Sequence, residues 1–437
     1  MEVILNPVVV SVVLLCVLCL CKVNVLLALI LSAILAGLVS GMSITDVMNT
    51  FISGMGGNSE TALSYILLGA FAVAMAHTGL ATIIAQKIAS AIKANKYLLL
   101  FIITIIAMMS QNLIPVHIAF IPILIPPLLS VMNKLKVDRR AVASALAFGL
   151  KTPYITLPAG FGLIFQGLIA ENMVLNGVEI SKNEIWHYTW ILGLAMLVGL
   201  LIAVFISYRK PREYAMIEDS SFGTEINSED LKLNKNHYIT ILGAVATLVV
   251  QLWTKSLPLG ALVGLSIIFG AKALDHNKMD KIINEGVGLM GYVAFVMLVA
   301  AGYALVLKET GAVESLLNIL VPYMEISKVL AVSIMLLVGL FITIGIGTSF
   351  GTIPILAVLF VPICAKLGFS APATVVILAA AAALGDAGSP ASDTTLGPTS
   401  GLNVDGQHNH IWDTCVPTFL HYNIALIIFA IIGAMIF

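Results

Sequence analysis

Three features of the chain predict an all-α integral membrane fold built as an inverted repeat. Apolar runs of roughly 18 or more residues recur along its whole length, each able to cross about 30 Å of hydrocarbon as a helix. Four of these runs are interrupted by Gly, Pro and polar residues. Finally, Gly54 and Gly286 are separated by 232 residues, and the same offset relates further markers in the two halves. Composition agrees with the class: 59% of residues are hydrophobic and 10% charged, and the mean hydropathy is +1.04. A net charge of −1 offers no basic footprint for nucleic acid, so Lys and Arg read as topology signals.

In chain order, spans are expected over residues 6–21 and 23–40, separated by Lys22, and near 61–76 after a polar, Gly-rich stretch at 41–60. Residues 1–21 lack a basic n-region and a small-residue cleavage site, so they read as a retained span. Cys16, Cys19 and Cys21 in that run read as packing residues. A hairpin over 97–132 has basic flanks at both ends and is interrupted at SQNLIPVH (110–117). A crossing over 138–173 is broken at KTPYITLP (151–158), and a return span covers 185–207. The polar stretch 208–236 reads as a solvated cytoplasmic linker. Beyond it come spans at 237–253, 258–274 and 286–306. A second hairpin, 328–364, is interrupted at GIGTSFGTIP (345–354), and a crossing over 371–402 is broken at GDAGSPASDTT (385–395). Residues 411–437 form the last span. The domain reading is therefore repeat 1–207, linker 208–236 and repeat 237–437.

The offset that relates Gly54 to Gly286 also relates Gly56 to Gly288, Thr78 to Thr310, Pro122 to Pro354 and Lys134 to Lys366. With a short gap, Gly149 then meets Gly385, and Lys151 falls beside Asp386. Tracing crossings from the basic loops gives odd parity, so the copies are expected upside down to each other. An inverted repeat with interrupted helices at matching positions points to a secondary transporter with one central site.

A broken helix in hydrocarbon frees backbone N–H and C=O groups that only protein or a wet cavity can satisfy. Half-helix N-termini then attract anionic groups, and freed carbonyls can coordinate Na⁺. Asp386 and Asp393 are the most informative side chains. A carboxylate at membrane depth costs at least about 3 kcal/mol and is expected to be paired, ion-coordinating or protonated; the plain alternative is capping of a half-helix. Lys151 is expected either to pair with Asp386 or to hold a substrate carboxylate. His117 reads equally as a bonded hairpin-tip residue or a proton carrier. His408, His410 and His421 read as loop residues near an interfacial Trp412, without a closed metal-ligand set. No P-loop, nucleophile elbow, dinucleotide fingerprint or zinc cluster occurs, so an enzyme and direct ATP drive are not expected.

The segment GDAGSPASDTTLGPTSG (385–401), with DGQHNH (405–410) and Trp412–Asp413, resembles the signature of the NhaC-like Na⁺/H⁺ antiporter family. It is similar in particular to a branch of amino-acid, histidine-type, permeases. The resemblance implies re-entrant hairpins, two broken helices, a homodimer through scaffold helices and elevator-type alternating access. It also implies a multi-pass protein of a bacterial-type plasma (inner) membrane. By position, the hairpin tips are 110–117 and 347–352, and the broken-helix loops are 151–156 and 386–394. The tips depart from the Ser–Asn–Thr of the dicarboxylate branch, which argues against a dicarboxylate substrate.

The expected function is movement of a small amino acid, histidine-like or cationic, coupled to Na⁺ or H⁺; the alternative is exchange of cations alone. Expected substrate-binding residues are Asn112, His117, Lys151, Thr152, Tyr154, Thr156, Thr348, Ser349, Ser389, Ser392, Asp393 and Thr394. Asp386, Asp393, Ser110, Asn112 and Thr348 are expected at the coupling ion. No cofactor beyond that ion is expected, and the partners are membrane lipid and the small-molecule substrate, without nucleic acid.

Overall fold

The computed structural model describes residues 5–80, 83–84, 87, 95–112, 120–159, 161–215, 233–254 and 256–437. Among them it is helical throughout. Seven helices are long and apolar enough to cross a membrane, or eight if the one bent pair counts as a span.

The first half contains α1 (Pro7–Leu20), α2 (Val25–Val39), α3 (Ile44–Met55) and α4 (Ser59–His77). It continues with α5 (Lys96–Asn112), α6 (Phe120–Lys134), α7 (Arg139–Thr156), α8 (Phe161–Leu175) and α9 (Trp186–Ile202), which runs on as a π turn, Ala203–Ser207. The second half contains α10 (Lys235–Thr254), α11 (Leu257–Gly270), the long α12 (Met279–Glu309) and α13 (Ala312–Met324). Next come α14 (Lys328–Ile346), α15 (Ser349–Lys366), α16 (Ala371–Ala383) and α17 (Asp393–Leu402). The π turns His410–Cys415 and Phe419–Asn423 lead into α18 (Ile424–Ile436).

Packing sorts these helices into two bodies. In the first, α12 lies against α2, α3 and α4, and α11 packs against α4 with α10 against α11. Small residues let the backbones touch: a Cβ on Gly286 would lie 2.4 Å from the Ala70 backbone, the close approach expected where lipid supplies no hydrophobic drive. In the second body, α7 packs on α5, α9 and α17, while α16 is enclosed by α14, α15 and α18. Every described residue of α16 from Ala373 to Ala383 is buried. The bodies meet where α12 touches α14 and α17, α4 touches α6, and α1 touches α14.

Two breaks differ from the sequence expectation. The helix α7 runs through Pro153 to Thr156, so the interruption expected at 151–158 begins instead at Leu157, with a 48° bend into α8. The cause is Pro158, whose ring disfavours helical backbone at the preceding residue: Leu157 is extended, φ −105° and ψ 133°. In the second hairpin the break is only Gly347 and Thr348, because Gly347 takes a left-handed φ of 74° and Thr348 is extended; Pro354 sits inside α15. The chain returns at this tip. Lys328 at the start of α14 donates to the Gly368 carbonyl at 2.7 Å, beyond the end of α15, and Met335 meets Cys364 at 3.9 Å. In the first hairpin the arms α5 and α6 are described and residues 113–119 lie outside the described residues.

Further differences concern polar segments. The stretch 41–60 contains an amphipathic helix, α3, capped by Ser43 on the Asp46 N–H, and α13 is a further helix between spans. The beginning of the linker is docked instead of simply solvated: Arg212 pairs with Asp413 at 2.7 Å, and Tyr214 accepts from the Arg139 N–H at 2.9 Å.

Candidate functional site

The site is built where the break of α16–α17 meets the end of α7 and the hairpin tip. Between α16 and α17 the chain is unwound from Leu384 to Ser392, and Gly385 has φ 81°. A side chain is excluded there, since a Cβ would lie 2.6 Å from the Leu340 carbonyl. The freed backbone groups are satisfied by side chains, as burial demands. The Asn423 amide accepts from Gly385 N–H at 3.2 Å and donates to the Ala387 carbonyl at 2.8 Å. Ser389 donates to the Ile344 carbonyl at 2.9 Å and Thr395 to the Ser389 carbonyl at 2.5 Å.

Asp386 is the centre. Its Oδ2 receives Lys151 Nζ at 3.2 Å, Tyr154 Oη at 3.0 Å and Ser349 Oγ at 3.0 Å, and its Oδ1 receives Ser392 Oγ at 2.5 Å. Lys151 also donates to the Ala383 carbonyl, an orphan acceptor at the end of α16 that carries the helix's partial negative charge. Lys151 is fully buried and the Asp386 side chain is 3% exposed. A buried ion pair of this kind depends on further hydrogen bonds to its partners; here Asp386 has three besides Lys151, and Lys151 has the Ala383 carbonyl. The pairing of Lys151 with Asp386, one of the two roles open in the sequence, is the arrangement present.

Asp393 opens α17 behind its cap, Ser392, which accepts from the Thr394 N–H at 3.1 Å. Its side chain is half-buried, takes a long 3.4 Å contact from Ser392 Oγ, and lies within electrostatic reach of Asp386, Lys151 and Tyr65 of α4. Aromatic rings close the other side. Tyr154 packs on Phe165 and on Phe350 of the hairpin tip, both at 5.2 Å between centroids.

Of the expected residues, Lys151, Tyr154, Ser349, Asp386, Ser392, Asp393 and Thr394 thus come together; Thr394 donates to the Asp386 carbonyl at 3.1 Å. Ser389 holds the unwound backbone. Thr348 accepts through its carbonyl from Thr352 at 2.7 Å and caps α15 without a side-chain bond. Thr156 donates back to the Thr152 carbonyl at 2.8 Å and faces α9, where a Cβ on Gly193 would meet its methyl at 2.5 Å. Thr152 Oγ1 is buried without a partner; neither threonine bonds to the Asp386 cluster. His117 lies outside the described residues, as do the side chains of Ser110 and Asn112.

Sequence reasoning missed Asn423 and Tyr422, whose hydroxyl donates to the Ser144 carbonyl. Their signal was available, as polar residues inside the last apolar run. His408 lies in a loop as expected, though a buried one, whereas His410 opens the π turn His410–Cys415 and His421 lies within the π turn Phe419–Asn423 instead of in a loop. His408 is 1% exposed and bonds Thr414 at 2.7 Å, and His410 bonds the Pro390 carbonyl of the unwound stretch at 2.9 Å. Among the described residues no group of three or more His, Cys, Asp or Glu is placed to hold a metal ion.

At the end of α17 nearest the basic loops, Arg139 is fully buried and grips both Asp405 oxygens, at 2.6 and 2.5 Å. Burial raises the Asp405 carboxyl, but the Arg139 bonds and charge outweigh it and hold the group below its ordinary value. Burial, with the nearby Arg139 and Arg212 charges and against the pull of Asp413, pushes the neighbouring His408 down to about 3.

Apolar helices with a buried charge pair at helix breaks define a multi-pass membrane protein of transporter type. The chain belongs to the Na⁺/H⁺ antiporter family, whose model matches residues 145–434; a second Na⁺/H⁺ antiporter family model matches residues 6–92. It is 48% identical to an uncharacterized membrane protein of Vibrio parahaemolyticus, over 99% of this chain and 100% of that one. It is 46% identical to YuiF of Bacillus subtilis, named as a proposed amino acid transporter, again over 99% and 100%. Among solved structures it is similar to the Alcanivorax borkumensis YdaH transporter, at 14% identity and a TM-score of 0.44, covering 90% of this chain and 88% of that one.

Proposed function

We propose that the protein is a secondary active transporter that moves a small amino acid coupled to Na⁺ or H⁺. The observation that carries this reading is the buried Lys151–Asp386 pair, held by Tyr154, Ser349 and Ser392 where two helix breaks and a hairpin tip converge. Asp393, half-buried at the start of α17 beside the Asp386 cluster, is the second carboxylate of the site and joins Asp386 in meeting Na⁺ or the substrate ammonium. The substrate carboxylate is met by the N-terminal end of α15 and by Lys151. A proton arriving on Asp386 cancels one charge of the pair, leaving the Lys151 ammonium to turn from Asp386 to the substrate. Proton loading and substrate affinity are thereby linked. In this reading α5–α9 and α14–α18 form the moving body of an inverted-repeat elevator and α1–α4 with α10–α12 the scaffold. The name given to YuiF supports an organic substrate.

The family's description favours a second reading, exchange of cations alone. The two separate in proteoliposomes offered labelled histidine, arginine and neutral amino acids under imposed Na⁺ or proton gradients, with a pH-sensitive dye in the lumen. Saturable, gradient-dependent uptake of one amino acid is expected. Sodium-triggered proton movement without amino-acid uptake would establish the exchanger.

A further inference from the structure

A cavity of about 350 Å³ lies between the bodies, away from the Asp386 cluster. The first body contributes the α1–α2 turn with Lys22 and Asn24, and Tyr292 of α12; the second contributes the face of α17 and the turn with Asn409 and His410. Its volume falls in the range of small-molecule sites. Its rim and floor differ. Lys22 and Asn403 at the rim are exposed, whereas the floor residues Leu396 and Val293 are 3% and 4% exposed. The rim is at the end of α17 gripped by Arg139 through the Leu402 carbonyl and Asp405. That end also holds Lys136, Arg140 and Arg212. An excess of basic residues marks the cytoplasmic side.

The lining carries one ammonium, one imidazole and several hydroxyl and amide groups, and no Asp or Glu. Leu396 is three residues past Asp393, about 4.5 Å along a helix, so the floor is under one turn from the half-buried carboxylate. The cavity is also bonded to the unwound stretch. His410 Nε2 faces the Pro390 carbonyl, which can only accept, so that nitrogen carries a proton, and Nδ1 faces Thr399 Oγ1 at 2.8 Å.

We propose that this cavity is the cytoplasmic vestibule of the site, selective for small solutes bearing a carboxylate, with Leu396 as the apolar floor that separates it from Asp393. Lys22 and the amide and hydroxyl rim attract the anionic group, and the lack of lining carboxylates removes the competing attraction for free cations. That the solute is an amino acid rests on the transport reading above; the anionic preference of the cavity does not.

The test is labelling of Ser400→Cys, with Asn403→Cys as a second position, in the full-length protein in proteoliposomes. The background carries Cys21→Ser because Cys21 is exposed beside Lys22. Each thiol is exposed to a methanethiosulfonate bearing a sulfonate and to its trimethylammonium counterpart, and each rate is normalised to that of a free thiol. The anionic reagent is expected to react about tenfold faster, and Lys22→Glu is expected to reverse the order. Equal rates, a faster cationic reagent or no labelling at either position would overturn the vestibule. Anionic preference without amino-acid uptake by the parent protein would leave the vestibule standing and sink the transport reading.

Discussion

At the residue scale, stability and function converge on one carboxylate. Asp386, read from the sequence alone, is a carboxylate that must be paired, ion-coordinating or protonated at membrane depth. Four donors meet its oxygens, and Asp386→Asn leaves the buried Lys151 ammonium without its counter-charge. Removing one partner of a buried pair costs about 3–5 kcal/mol, so Asp386→Asn and Lys151→Met are each expected to lower detergent-solubilised thermal stability markedly. The uncharged double variant is expected to be more stable than Lys151→Met alone while remaining unable to transport. Equal stability of single and double variants would show the pair to be uncoupled. Tyr154→Phe removes one donor to Asp386 and keeps the ring contacts with Phe165 and Phe350. It is expected to cost about 1 kcal/mol and to shift the pH dependence of transport.

At the element scale, the spans were legible because hydropathy over 18 or more residues records what lipid tolerates. The helices α3 and α13 were not, since short amphipathic segments with polar faces carry no such record. The breaks were legible in kind and misplaced in detail. Two prolines compete near the end of α7; Pro153 costs one backbone bond inside a helix buried on several sides, whereas Pro158 dictates the conformation of Leu157. At the hairpin tip it is Gly347, not Pro354, that turns the chain. The unwound stretch depends on Gly385 in the same way. Gly385→Ala combines a left-handed φ of 81° with a clash at the Leu340 carbonyl. It is expected to abolish transport and to lower the melting temperature by several degrees in a fluorescence-monitored melt. A normal melt with normal transport would show that the stretch rearranges freely.

At the scale of the whole molecule, the sequence offset set Lys151 opposite Asp386 and left pairing as one of two roles for it, but it did not show that His408 and Arg139 would be buried. Hydropathy alone cannot tell a buried polar turn from a solvated one. These groups contribute to the acid stability. The His408 ring titrates at about 3 in the fold and near 6.5 when unfolded, so the unfolded chain binds more protons as pH drops between those values. The His408 contribution to stability is therefore full above about 6.5 and falls by up to about 1.4 kcal/mol per unit below it. Asp405, held low by Arg139, adds a loss of the same sign beneath the ordinary carboxylate range. His408→Gln is expected to flatten the decline between pH 6.5 and 4 in detergent melts; an unchanged slope would assign it elsewhere. The neutral sum of Lys151 and Asp386 has an electrical consequence. With Asp393 ionised, the vacant site carries one net negative charge, and a bound monovalent cation cancels it. In the transport reading proposed above, the membrane potential then does work, about 2.3 kcal/mol per 100 mV, on the vacant return and little on the loaded stroke.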